Sequence, residues 1–221
     1  MIRIITCLSA GLIFISGAAN SQACWSFDIN GGIPVNISLP MAIYQAGEVA
    51  IKIPSARFSS EPFVLPPFWD WRFCRTGSKG FWELESIHNK LYLKNRPDEI
   101  QEFSISHGYN IFTVNRGWKF GKYGMRIGLG CAFAHPESEI RHRIFRESGN
   151  FLNTSYHLSG PVLNIGLNRR WYIIRRLFLQ TEIKNTFSYV HVPLAGGHAD
   201  FFTSSFYFTG GAGYDFISKE D

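Results

Sequence analysis

The chain has 221 residues, a formal net charge of +5 and an aromatic content of 16%. This length suits one domain, and the scattered basic residues form no stripe of the kind that nucleic acid requires, so we expect no nucleic-acid partner. After the N-terminus, no segment approaches the roughly 20 apolar residues of a spanning helix, so insertion into a bilayer would require a closed barrel.

The N-terminus predicts a cleaved signal peptide over residues 1–23. Arg3 supplies an early positive charge, residues 4–15 are apolar, and Ser21 and Ala23 fit a small-x-small cleavage site. Cleavage would leave 198 residues, 24–221, as one barrel domain with a net charge of +4 that begins at Cys24. A lipoprotein modification of Cys24 and an N-terminal anchor remain alternatives.

Apolar and polar residues alternate through the rest of the chain, most clearly over residues 205–216. Phe206 and Phe208 fall on one parity, whereas Ser205 and Thr209 fall on the other. A period of two places these sets on opposite faces of a strand. A soluble sandwich would bury the apolar face against a second sheet, and a membrane barrel would turn it toward lipid.

In chain order, the pattern predicts eight strands with alternating short and long connections between them. They cover residues 25–37, 68–76, 81–91, 103–118, 123–133, 158–171, 177–189 and 205–216. Short turns alternating with longer loops are typical of outer-membrane barrels. We therefore predict an all-β protein, an eight-stranded antiparallel transmembrane β-barrel in the bacterial outer membrane, in contact with its lipids and monomeric.

The predicted inward faces of the strands collect charged residues. An eight-stranded barrel has an interior just wide enough for side chains, so charges there should be paired. A structural ion-pair network and a functional site are both open interpretations of this set. Its members are Asp28, Asp70, Arg72, Glu83, Glu85, Arg126, Glu182, Lys184 and Asp215.

The third and fourth predicted strands form a hairpin whose register suggests a site at the outer rim. If the turn centres between Pro97 and Asp98, residues whose numbers sum to 195 face each other. Glu85 and Asn110 would then both point inward. His88 and His107 would both point outward near the rim, where the two histidines would bind a metal, a phosphate or nothing. The pairs are Glu85 with Asn110, His88 with His107, and Lys90 with Ile105.

The loop over residues 135–155 offers candidate ligands for a divalent metal ion. His135, Glu137 and Glu139 combine an imidazole with two carboxylates, which suit such an ion, although a solvated loop has the same composition. No Ser-His-acid set is recognisable, and a nucleophilic hydrolase would need one.

Several stretches together resemble the rhizobial-type lipid A oxidases, which are small outer-membrane barrels. The resemblance covers most of the mature chain, although each stretch alone is short. The stretches are EPF (61–63), LPPF (65–68), LESIHNKLY (84–92), GYNI (108–111) with Asn115, PESEI (136–140), LSGP (158–161), EIKNT (182–186) and GG (196–197).

The resemblance implies oxygen-dependent oxidation of the proximal glucosamine of lipid A to an aminogluconate unit. The polar positions that it singles out are Glu85, His88, Lys90, Tyr92, Asn110, Glu182, Lys184 and Thr186. One departure is that this chain has Pro136-Glu137 where the family pattern leads us to expect Pro-His.

We therefore carry two hypotheses forward. In the first, the protein modifies lipid A in lipopolysaccharide: Lys90 would bind a phosphate or sugar hydroxyl, and His88 with Glu85 would act as acid and base or as metal ligands. Glu182 and Lys184 complete the expected catalytic set, and the expected binding set is Tyr92, His107, Asn110 and Thr186. In the second hypothesis the protein is a non-enzymatic barrel with a structural role or a loop-mediated binding role.

Overall fold

The computed structural model describes residues 24–146 and 155–216. The predicted signal peptide, residues 1–23, lies outside the described residues, as does the middle of the predicted 135–155 loop. No helix in the described part of the chain is long and apolar enough to cross a bilayer.

Eight long antiparallel strands close into a ring, as the sequence predicts. Each pairs with the next long strand along the chain, and the last pairs with the first, so the main sheet has no free edge. The strands are β1 (Cys24–Ile37), β5 (Trp69–Gly77), β6 (Gly80–Leu93), β7 (Ile100–Phe120), β8 (Tyr123–Ala134), β11 (His157–Tyr172), β12 (Leu177–Leu194) and β13 (Gly197–Asp215).

Five shorter strands extend the wall beyond one end of the ring. They are β2 (Leu39–Gln45), β3 (Ile51–Ala56), β4 (Phe58–Ser59), β9 (Glu137–Ile140) and β10 (Arg143–Phe145). The β2–β3 hairpin pairs with β13, β4 with β6, and β9 with β7. The sequence predicts loops in these segments, because their alternating runs are short.

Both ends of the barrel domain lie on the side of the short turns, as the eight-stranded topology requires. Ser26 pairs with Asp215, and Phe216 donates a backbone hydrogen bond to Trp25. The opposite side carries the longer connections and the five short strands, and we call it the outer side.

The outward face of the ring is apolar over the lower and middle parts of the strands. Ile29, Ile127 and Ile183 are examples of half-exposed hydrophobic side chains on this face. Near the short turns, Arg116 lies over the rings of Trp82 and Trp118, at 5.5 and 5.4 Å from their centroids. An apolar band of about 25 Å with aromatic girdles is the outer surface of a transmembrane barrel.

The interior of the barrel has two zones along the barrel axis. The lower zone, toward the short turns, holds the predicted charged residues, and all of them are buried. The upper zone is apolar and closes the outer side. Its side chains include Met41, Ile43, Leu91, Leu93, Phe103, Ile105, Val190, Val192, Leu194 and Phe201.

The predicted register of the β6–β7 hairpin is wrong. His88 pairs with Asn110 rather than with His107, and Glu85 pairs with Thr113. These pairs sum to 198, an even number, so Asn110 changes face and points outward instead of inward. The turn causes the change of face, because the pairs next to it, Leu91 with Ile105 and Tyr92 with Ser104, already sum to 196 rather than 195. A bulge then shifts the register by two more residues: residues 106–108 bow out opposite Lys90, with Gly108 at a φ of 138° that suits glycine.

Candidate functional site

Glu85 is the centre of an ion-pair network in the lower interior. Its carboxylate accepts hydrogen bonds from Lys184 Nζ at 2.6 Å, Arg126 Nη2 at 3.0 Å and Asn164 Nδ2 at 2.6 Å. Lys184 also reaches Asp70 Oδ2 at 2.8 Å. Several donors on one buried carboxylate offset the cost of removing it from water.

Glu182 joins the network from strand β12. Both Arg72 and Arg126 contact its carboxylate, and Arg72 also donates to Asp28 Oδ1 at 2.9 Å. The predicted inward orientation of Glu85, Glu182 and Lys184 is confirmed, since all three side chains are buried in the barrel interior. This placement separates them from the lipid-facing surface and favours the interpretation of the set as a structural network.

Thr186 lies one step above this network, also inside. Its hydroxyl is 3.2 Å from the hydroxyl of Tyr207, and nearby Tyr109 contacts Ser188 at 2.5 Å. Hydroxyl groups therefore separate the charged zone from the apolar zone.

His88 lies on the outward face at the outer edge of the apolar belt. Its ring stacks on Trp69 with centroids 5.3 Å apart and planes 9° apart. Nδ1 is 2.8 Å from Asn110 Oδ1, whereas Nε2 is buried and has no hydrogen-bond partner among the described residues. With the Asn110 oxygen accepting, Nδ1 carries the proton and Nε2 keeps its lone pair, which makes it the basic nitrogen.

Lys90 and Tyr92 continue the same outward row on β6. The Lys90 ammonium donates to the Val64 carbonyl at 2.8 Å and lies 5.9 Å from the Tyr92 ring centroid. Burial lowers the pKa of Lys90, and the nearby Glu61 carboxylate opposes that shift. Burial also raises the pKa of Tyr92, and Glu61 and Glu137 add to the increase.

The segment that contacts Lys90 carries exposed apolar side chains. Phe63, Val64 and Leu65 are 80%, 53% and 85% exposed, although they precede strand β5 at the outer edge of the belt. We call His88, Lys90, Tyr92 and Asn110, together with residues 61–65, which meet Lys90 at the Val64 carbonyl, the rim site. Neighbouring exposed hydrophobic residues mark a surface that contacts a membrane, a ligand or another protein.

The expected partnership of His88 with Glu85 is contradicted by the structure. The two residues are three positions apart on one strand, so Glu85 faces the lumen and His88 faces outward. They cannot act on the same atom, and Asn110 takes the place that was predicted for Glu85.

His107 belongs to a second group, formed by the bulge and strand β9. Its ring is 5.0 Å from that of His135, and its Nδ1 is 3.5 Å from Glu137 Oε2, which also accepts from Ser106. Glu139 instead approaches His142 at 3.8 Å. The three predicted metal ligands, His135, Glu137 and Glu139, therefore do not converge on one point.

A different group has metal-ligand geometry, and it was not among the predicted sites. In the described residues, the imidazoles of His191 and His198 and the carboxylate of Asp200 bring their ligand atoms within 4.8 Å of one another. They lie in the outer half of the β12–β13 hairpin. The sequence feature that could have revealed this group is the turn at Ala195-Gly196. If both strands are extended to this turn, residues whose numbers sum to 391 face each other, and His191 faces Asp200.

A cavity of about 240 Å³ opens at the short-turn end of the barrel. Cys24, Cys74, Glu83 and Arg170 are among its lining residues. Cys24, Cys74 and Cys131 form no disulfide bond in the described part of the chain.

Comparison with known proteins gives similar folds but no family. No family model matches the chain, and no curated protein matches it. Among solved structures, Ail of Yersinia pestis has 8% identity and a TM-score of 0.39 over 90% of this chain and 100% of Ail. Neisserial surface protein A has 7% identity and a TM-score of 0.42, and the match covers 90% of this chain and 100% of that protein. The outer membrane protein AlkL has 12% identity and a TM-score of 0.45, and the match covers 92% of this chain and 94% of AlkL.

Proposed function

We propose that the protein is a bacterial outer-membrane barrel that modifies lipid A in the outer leaflet, at the rim site. The observation that carries the proposal is the outward-facing polar row of β6, which begins where the apolar belt ends. Saccharides and phosphates of the outer leaflet lie at that depth, just above the acyl chains. A buried lysine and a histidine with a free basic nitrogen suit an anionic sugar substrate.

The exposed apolar segment beside Lys90 supports a lipid substrate rather than a soluble one. Phe63, Val64 and Leu65 would insert among acyl chains, and the Val64 carbonyl is held by Lys90. A sugar that binds at Lys90 would displace this hydrogen bond and lift the segment. The Lys90 ammonium group would then be free to hold the sugar.

The resemblance implies oxidation of the proximal glucosamine, and this reaction requires an oxidant, a proton acceptor and a free anomeric hydroxyl group at the site. Conversion of the anomeric carbon from a hemiacetal to a lactone removes two electrons and two protons, which dioxygen accepts as hydrogen peroxide, and water then opens the lactone. His88 Nε2 would accept the anomeric hydroxyl proton, while Lys90 and Tyr92 would hold the sugar. The substrate must lack a phosphate on that hydroxyl.

A non-enzymatic role is the second candidate, and the charged interior favours it. Lys184 pairs with Glu85, and Arg126 pairs with both Glu85 and Glu182, so these charges form a buried ion-pair network of a structural kind. If the polar residues of the rim site are also structural, the protein would stabilise the membrane or present its outer strands to a partner.

Mass spectrometry of lipid A from cells with and without the gene separates the two candidates. We expect a gain of one oxygen atom on the proximal sugar only when the gene is present. His88→Ala should abolish this product, and Lys90→Met should reduce it at least tenfold, while both variants keep the heat-resistant folded barrel on gels. Identical spectra with and without the gene would overturn the enzymatic proposal.

His142→Ala is the matched control, because His142 is an exposed histidine outside the rim site. It should leave the lipid A product unchanged. Full activity in His88→Ala would show that the rim histidine contributes only polarity at headgroup depth.

A further inference from the structure

His191, His198 and Asp200 lie together on the outward face of the β12–β13 hairpin. His191 pairs directly with Asp200 across the hairpin, and His198 is two residues before Asp200 on the same face. Below them on that face, Tyr189 and Phe202 stand 5.4 Å apart in the upper aromatic girdle. The group therefore lies just outside the apolar belt. Strands β6 and β12 are not neighbours in the ring, so the group is separate from the rim site.

The distances within the group are close to those of a metal site. His191 Nδ1 is 2.6 Å from Asp200 Oδ1, His198 Nε2 is 3.5 Å from Asp200 Oδ2, and the two imidazole centroids are 4.8 Å apart. Bonds of about 2.0–2.2 Å in a tetrahedron separate ligand atoms by roughly 3.4 Å. Small side-chain rotations would bring all three ligand atoms to that separation.

We propose that His191, His198 and Asp200 bind one divalent transition-metal ion at the outer surface. Two imidazoles and one carboxylate suit zinc, nickel or copper, whereas magnesium and calcium require oxygen ligands in greater number. Three protein ligands leave at least one coordination position for water or an external ligand.

The hairpin holds the three side chains in place before any ion binds. Their backbones are fixed by consecutive antiparallel pairs, and the His198 ring stacks on Tyr44 with centroids 5.1 Å apart. The side chains of His191, His198 and Asp200 are 54%, 40% and 25% exposed, so an ion can reach them from outside the cell. Preorganised ligands lose little conformational freedom on binding.

Calorimetric titration of the mature barrel in detergent with Zn²⁺ tests the proposal directly. We expect one ion per chain with micromolar affinity, and no competition by a large excess of Mg²⁺ or Ca²⁺. His198→Ala and Asp200→Asn should each weaken Zn²⁺ binding at least tenfold, and His191→Ala with His198→Ala should abolish it. Co²⁺ added instead should give the visible absorption of a four-coordinate ion, lost in the double variant.

His142→Ala provides the control, since it removes an exposed histidine outside the group. It should bind Zn²⁺ as the unaltered chain does, and gel mobility before and after heating should show that every variant is folded. Unchanged Zn²⁺ affinity in the double variant, or an equal loss in His142→Ala, would overturn the proposal. These binding measurements do not depend on lipid A modification, so either proposal can fail without the other.

Discussion

The lower and upper halves of the barrel wall have opposite polarity. In the lower half the inward side chains are charged and the outward ones are apolar. In the upper half the inward side chains are apolar, as at Leu91 and Val192, while polar residues such as His191 face outward. A single strand, β12, passes from one arrangement to the other between Lys184 and Val190. The outward face of the lower half therefore suits contact with lipid, and the outward face of the upper half suits contact with water.

The largest expected effect comes from breaking the charged half at its centre. Glu85→Leu removes one acceptor of Lys184 and one of Arg126, so it breaks two buried ion pairs and should cost about 3–5 kcal/mol. Urea unfolding of the barrel in lipid vesicles, followed by tryptophan fluorescence, measures the change. Glu83→Leu is the control, because the ion pair of Glu83 in the described chain is with Arg126, at 3.3 Å, and its loss should cost less. Equal losses would contradict the central role of Glu85.

The corresponding change in the apolar half is Phe201→Ala. Phe201 is buried against Phe58 and Phe103, at centroid distances of 5.3 and 5.9 Å, so its truncation leaves a cavity and should cost about 3 kcal/mol. We expect faster proteolysis of the outer strands while the membrane-embedded part stays protected. Its neighbour Phe202 faces outward, and Phe202→Ala should leave the proteolysis rate unchanged. Protection of the outer strands in Phe201→Ala would show that the upper half does not depend on this packing.

The outward faces give a matched pair of exposed isoleucines, one in each half. Ile127, 45% exposed, lies in the apolar belt, and Ile144, 61% exposed, lies on an outer strand. Ile127→Lys should cost about 2 kcal/mol in vesicles because the ammonium group would face lipid, whereas Ile144→Lys should change the unfolding free energy by less than about 0.5 kcal/mol. Similar losses of unfolding free energy at both positions would contradict the assignment of Ile127 to the lipid-facing belt and of Ile144 to the water-facing part.

The smallest expected effect is that of salt on the charged half. Buried ion pairs are screened far less than exposed ones, so raising NaCl from about 0.05 to about 0.5 M should change the unfolding free energy by less than about 0.5 kcal/mol. The same vesicle assay applies. A loss above about 1 kcal/mol would indicate that water and ions enter the network around Glu85 and Lys184.

Period-two alternation was sufficient to predict the eight main strands and the inward set of the lower half. It was sufficient because a lipid-facing surface forces every second residue to be apolar. The upper half was not predicted, because its outward face meets water and its short strands lack that constraint. The hairpin at His191 shows this, since the predicted strand stopped at Tyr189, five residues before β12 ends.

The rim site was predicted in part, and the error has a physical origin. His88, Lys90 and Tyr92 share an outward row, which follows from parity alone. The partner of His88 depends on the turn and on the bulge at residues 106–108, and neither follows from alternation. Asn110 therefore faces His88, and the segment over Lys90 is visible only in the folded chain.

The two ends of the barrel interior differ: a cavity of about 240 Å³ lies at the short-turn end, whereas hydrocarbon side chains such as Ile43, Phe103 and Phe201 pack together toward the outer end. In the described residues this apolar packing lies across the barrel axis, and we therefore expect the barrel to lack a continuous aqueous path from one end to the other. Reconstituted in a planar bilayer under an applied voltage, it should carry no steady current, and cells that overproduce it should not become leakier to small antibiotics. A steady current would show that water and ions pass the packed side chains of the upper zone.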